Sequence, residues 1–291
     1  GTLSGILGNP ALALGAFVQM IPGPLNGMVG PHIIIAGANV HIRSGSGTTD
    51  DGGGPLSGRG NLIIGYNEDD AFIDPDGPNT RTGSHNLVVG PEHAFSSFGG
   101  LLAGLGNVVS APHASVSGGQ GNLASGDHAS VSGGQSNSAS GFSASVSGGN
   151  TNSASGDFAS VSGGDTNTAV GNLASVSGGF NNVANGLAAS VSGGDTNMAQ
   201  GQWSSISGGG QNIVNMFGQS ASVSGGFQNS AGNFNASVSG GSNNVADGIH
   251  ASVTGGQNNV AGGNESTVSG GLNRGALALH DWVAGTLFEN F

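Results

Sequence analysis

Apolar and polar residues alternate in a short pattern that returns at a fixed interval along most of the chain. The string Ala-Ser-Val-Ser-Gly-Gly begins at Ala114, Ala129, Ala144, Ala159, Ala174 and Ala189, each start fifteen residues after the last. It continues in variant form at Ser204, steps by seventeen to Ala221, and resumes at Ala236, Ala251 and Ser266, giving eleven copies. Written as A-S-V-S-G-G-x-x-N-x-A-x-G-x-x, the repeat alternates over its first four positions. Such alternation predicts a short strand with Ala and Val on one face and the two serines on the other. Units of fixed period stack on their neighbours, so Val116, Val131, Val146, Val161, Val176 and Val191 should form one column.

The remaining fixed positions predict how each unit turns. The glycine pair at positions 5 and 6 suits a corner with positive φ, and Gly126, Gly141, Gly156 and their successors at position 13 suit a second. Asn122, Asn137, Asn152, Asn167, Asn182 and Asn197 share position 9. Coils stacked about 4.8 Å apart would align these amides into a ladder that hydrogen-bonds along the axis, a structural role rather than a ligand-binding one. The predicted fold is all-β, a parallel β-solenoid with fifteen-residue coils.

Four regions follow. Residues 1–42 contain no Asp, Glu, Lys or Arg, and Pro10, Pro22, Pro24 and Pro31 favour extended segments over a long helix, which makes this leader a candidate for assembly or capping. Residues 43–113 carry degenerate coils, with Leu62-x-Ile64-Gly65, Leu87-x-Val89-Gly90 and Leu101-x-Ala103-Gly104 read as counterparts of Val116-x-Gly118-Gly119. An acidic insertion at 66–84 interrupts them as a surface loop. Residues 114–273 are the regular array, and 274–291, with Trp282, Leu287, Phe288 and Phe291, should leave the repeat and cap its open end.

Composition narrows the function. With 60 glycines and 7% charged residues the chain lies outside ordinary globular usage, in keeping with a periodic fold. A net charge of -12, with four arginines and no lysine, excludes the basic face that nucleic acid requires. No run of eighteen apolar residues occurs, so no membrane-spanning helix is expected. The lack of cysteine excludes disulfides and thiolate metal sites. A chain opening at Gly1 rather than Met fits a processed exported protein, and an extracellular or cell-surface location is expected.

Each regular coil offers one Val and two Ala to a core. Burying a valine is worth about 1.5–3 kcal/mol, against about 1–2 kcal/mol per residue to order the backbone. Ladder hydrogen bonds between coils and packing of the valine-bearing face on other chains are the two contributions expected to make up the difference. The valine strand, the glycine corner and the Ala-x-Gly return, in that order over roughly residues 60–273, resemble the YadA-like head repeats of trimeric autotransporter adhesins. The resemblance implies a left-handed β-roll and a homotrimer. It departs in its longer period and in placing Ser-Gly where that family favours a second apolar residue. The strings from Gly60 to Glu68 and from Gly83 to Gly90, with Asp281-Trp282-Val283-Ala284-Gly285, also resemble a group of uncharacterised bacterial repeat proteins, which implies an exported bacterial origin.

Candidate chemistry is sparse. The eight histidines follow no metal-ligand spacing, and serines are abundant because of the repeat, so no catalytic constellation emerges and the chain is read as non-enzymatic. Asp69, Asp70, Asp74 and Asp76 supply hard oxygen ligands for Ca²⁺ without any recognised spacing, and a solvated acidic loop is the plainer reading. Phe142, Phe158, Trp203 and Phe234, at positions 14 and 15, are the candidate contacts for a surface glycan or receptor. Stacked S-x-S strands invite comparison with ice-binding faces, but serine lacks the methyl that threonine pairs with its hydroxyl, and only Thr254 and Thr267 interrupt the series. A carbohydrate-cleaving β-helix would need three acidic groups in one groove. The expected function is a structural or adhesive fibre module, self-associating and able to join end to end. A receptor- or carbohydrate-binding tip is the alternative, and an ice-binding solenoid the third.

Overall fold

A computed structural model describes Gly15 and residues 17–68 and 80–284, and the chain divides into two compact units, 1–42 and 43–291. In the first, β1 (Val18–Ile21) and β2 (His32–Ile35) form an antiparallel hairpin with Val18 opposite Ile35 and Met20 opposite Ile33. Leu25 and Met28 exchange two backbone hydrogen bonds of 3.0 Å, and Asn26 and Gly27 between them have φ of 47° and 79°. Two successive positive φ values match the twist of a hairpin, and Asn-Gly adopts them at least cost. Met20 and Ile33 are 73% and 70% exposed, so this uncharged segment presents apolar side chains instead of burying them.

The second unit is a parallel β-solenoid. Among the described residues its first sheet has fifteen strands: β3 (Leu62–Ile64), then Leu87–Val89 and Leu101–Ala103, then the Ser-Val pairs from Ser115–Val116 onward, as far as Trp282–Val283. Its second has thirteen, from Ala94–Phe95 through Leu123–Ala124 and its successors to Gly275–Ala276. A third line of contact runs through single parallel bridges at position 7, from Leu105 and Gln120 to Gln257 and Leu272. Serine stands over serine and valine over valine from coil to coil, as Ser130 pairs Ser145 and Val131 pairs Val146.

The alternation sorts the strand as its pattern dictates. Ala114 and Val116 are buried, Ser115 is half-buried and Ser117 exposed, and later coils repeat the assignment. Four side chains fill each regular coil: Ala at position 1, Val at 3, Asn at 9 and Ala at 11. The first coils use larger residues in the same columns, with Val88 and Leu102 beneath Val116 and with Phe95 and Val109 beneath Ala124. The core therefore narrows from bulky to small residues within a few coils.

Four expectations need correction. The valine-bearing face is not free to pack on other chains: the valines of the column from Val116 to Val268 are at most 1% exposed, because they face the alanines of their own coils. The residue beneath Val116 is Leu102, not Leu101, because the ladder steps fourteen residues here; Leu101 pairs Ser115 and points outward. The array does not end at Arg274. Gly275–Ala276 and Trp282–Val283 extend both sheets, and the Arg274 N–H takes the place of an asparagine's, donating to Asn259 Oδ1 at 2.9 Å. Finally, position 13 glycines do not take positive φ. A Cβ added at Gly126 would overlap the Gly141 carbonyl of the next coil, so glycine is required there by close approach.

The seventeen-residue step is absorbed at one corner. Ile206 still pairs Val223, and Val214 pairs Ala231, while Met216 and Phe217 are extruded into solvent.

Candidate functional site

Three columns carry the side chains singled out by sequence. The first is internal. Asn167 Oδ1 accepts the backbone N–H of Asn182 at 3.0 Å, while its Nδ2 donates to the Gly163 carbonyl of its own coil (3.0 Å) and to Gly179 of the next (2.9 Å). The same set recurs at Asn122, Asn137, Asn152, Asn182 and Asn197. The amides are thus linked chiefly through backbone, with direct side-chain contacts such as Asn122 Nδ2 to Asn107 Oδ1 (3.1 Å) at only some levels. His93 enters the column between Asn67 and Asn107: its Nδ1 accepts the Asn107 N–H at 3.1 Å and its Nε2 lies 3.1 Å from the Val89 carbonyl oxygen. That pairing places the ring proton on Nε2.

The second column is a corner. At position 15 the backbone takes positive φ whatever the side chain, as at His128, Phe158, Leu173 and Trp203 (φ 56–61°). This conformation turns the N–H back toward the preceding coil, where Phe158 donates to the Phe142 carbonyl and Trp203 to that of Leu187, both at 2.8 Å. Side chains of positions 14 and 15 then project outward, one coil above another. Phe98, His113, His128, Phe142 and Phe158 make a continuous run of ring contacts with centroids 5.2, 5.1, 5.7 and 5.3 Å apart. Phe142 and Phe158 are thereby brought together. Trp203, 53% exposed, and Phe234, which contacts His250, occupy the same corner further along.

The third column pair is the outer face of the Ser-Val sheet. Positions 2 and 4 project from it as two parallel rows of hydroxyls. Their backbone groups are already used by the ladder, as Ser115 N–H donates to Ala129 and Ser117 N–H to Val131, both at 2.9 Å. Ser269 accepts from Trp282 Nε1 at 2.9 Å.

Asp69, Asp70, Asp74 and Asp76 lie outside the described residues. Among the described residues, no group of three or more His, Cys, Asp or Glu side chains is arranged to hold a metal ion. Among the described residues, Asp50 and Asp51 are the carboxylates clearly displaced from their ordinary range, in a loop that sequence reading passed over. Ser44 Oγ and the Ser57 N–H donate to the two oxygens of Asp51 at 2.5 and 2.7 Å and hold its carboxyl well below the usual range. Asp50 is lowered by Thr48 and the Gly52 N–H. These carboxylates are satisfied within their own turn. The positive φ at position 15 was also missed, since His, Phe, Leu and Trp give no signal for it. At position 8, also at positive φ, Asn181 and Asn243 carry a legible signal for it, whereas Thr151 and Thr166 do not.

Fold and surface together define a parallel β-solenoid repeat protein. Comparison of the sequence with protein-family models and with curated proteins gave no match. No helix among the described residues is long and apolar enough to cross a membrane.

Proposed function

We propose that this chain is a secreted, non-catalytic structural or adhesive solenoid that serves as a module of a trimeric surface or extracellular fibre. The observation that carries the reading is the uncharged hairpin, whose exposed Met20 and Ile33 stand in a chain of net charge -12. An isolated two-stranded hairpin is marginal in water, so its apolar face calls for a covering surface, and the same uncharged hairpin of another copy supplies one without unpaired charge. End-to-end joining belongs to the same reading: Ile63, at the inward position of the first strand, is 45% exposed while Val88 and Leu102 in the same column are fully buried. Light scattering of the full chain tests it. Met20→Glu with Ile33→Glu should lower the mass of the assembly, and an unchanged multi-chain mass would remove the hairpin from subunit contact.

The run of rings from Phe98 to Phe158 favours a second reading, a glycan-binding surface, because aromatic faces pack against the apolar faces of sugars. Glycan-array binding that is lost in Trp203→Ala supports it, and an array without signal ends it.

A further inference from the structure

The coils differ freely at outward positions, with one exception. Position 10 projects from the second sheet and holds Leu123, Ser138, Val183, Met198, Ile213 and Gly275 in a ladder that stays in register. Positions 7, 12, 14 and 15 vary as widely, from Asp to Phe to Gly. At positions 2 and 4, all eleven coils carry Ser or Thr, with threonine only at Thr254 and Thr267. The fold does not demand this. Position 10 shows that an outward strand site accepts aliphatic residues, which are better strand formers than serine. Nor do the hydroxyls serve the chain, for between Ser115 and Ser252 no described hydroxyl of these two rows makes a side-chain hydrogen bond. A shared origin of the repeats cannot account for it either, because the other outward positions have the same origin and have diverged.

We infer that the serine face is the contact surface between copies of this chain, a proposal that rests on the self-associating reading above and assigns it a second interface. The partner must match a row of hydroxyls repeating once per coil over the whole array, and a second copy carries the same rise by construction. Charge selects the same face. Asp127, Asp157, Asp165, Asp195, Asp247 and Glu265 all lie at other positions of the coil, so two like-charged chains approach most cheaply where neither has a carboxylate. Small side chains also let flat sheets come close. A face about 13 Å wide and about 50 Å long, from strand rise and spacing, offers about 650 Å² per chain. Two such faces bury about 1,300 Å², within the range of stable specific interfaces.

The test uses the full chain in sedimentation and light scattering. Ser162→Glu with Ser192→Glu, both at exposed position 4, should lower a multi-chain wild-type mass, and combined with Met20→Glu and Ile33→Glu should bring it down to 27.9 kDa. Ser140→Glu with Asn185→Glu, exposed on the opposite sheet, adds the same charge and should leave the mass unchanged. Because the chain has no cysteine, Ser162→Cys gives an independent readout that needs no disruptive charge. Mild oxidation should yield covalent dimers from Ser162→Cys and monomers from Ser140→Cys. A multi-chain mass unchanged by the serine-face charges, with no cross-linking from Ser162→Cys, overturns the inference and leaves the fibre reading standing. A single-chain wild type at all concentrations overturns both, and thermal hysteresis in that sample would assign the face to ice.

Discussion

An asparagine inside a solenoid does work that an apolar residue of the same size cannot do. In the regular coils a position 9 side chain satisfies the N–H of the residue above it while binding carbonyls in its own coil and the next, so Asn167→Ala orphans the buried Asn182 N–H and removes two donors. An unsatisfied buried group costs about 1–3 kcal/mol, and Asn167→Ala should therefore lower unfolding stability by about 2 kcal/mol or more in urea titration. The opposite sign is expected at Ser266, which occupies an alanine position, is fully buried, and has a hydroxyl without a partner. Ser266→Ala should raise the thermal midpoint, whereas Ser204→Ala should lower it, since Ser204 Oγ donates to the Gly201 carbonyl at 2.6 Å. Thermal unfolding of the two variants side by side checks the contrast.

At the scale of the coil, the ladder tolerates added length at corners and fixes register in strands. Met216 and Phe217 demonstrate the first: two extra residues leave the valine and alanine columns unbroken. Removing residues 159–173 should likewise close cleanly, because Val146 would meet Val176 in the register that Val161 now holds with each. Nearest-neighbour stacking predicts a folded protein whose denaturant m-value falls in proportion to the coil removed, whereas removal of eight residues, 159–166, should destroy the cooperative transition. This division also explains what was legible in advance. Alternation in Ala-Ser-Val-Ser and the recurrence of Asn at a constant offset report strand faces and a buried column, since both depend on side-chain chemistry. The shift at Leu102 was invisible because Leu101 and Leu102 are chemically alike, and pattern alone cannot choose which faces inward. Gly126 was assigned to the wrong cause for a related reason: glycine marks positive φ and close backbone approach with the same letter. The final coil was hidden because Arg274 replaces asparagine, and only its backbone N–H, shared by any residue, continues the ladder. Of the candidate surfaces, the aromatics named in advance do share a corner, yet the histidines that complete the run of rings were set aside for want of a ligand pattern.

For the whole molecule the governing quantity is charge, and it opposes self-association. Sixteen acidic residues against four arginines leave each copy at -12, so two copies repel until their contact energy exceeds that repulsion. Interfaces built from complementary ion pairs weaken when salt is added. The surfaces proposed for contact here, the hairpin around Met20 and Ile33 and the serine rows, contain no carboxylate, lysine or arginine. Salt then screens only the repulsion between the rest of the two chains, over a distance that falls from about 30 Å at 0.01 M to about 8 Å at 0.15 M ionic strength. Association should accordingly tighten as sodium chloride rises from low to physiological concentration, read as an increase in mean sedimentation coefficient at fixed protein concentration. The serine-face carboxylates of Ser162→Glu with Ser192→Glu should steepen that dependence, because they put like charges at the contact itself. Dissociation on adding salt would mean that opposite charges hold the copies together, and would exclude both uncharged surfaces as the principal interface.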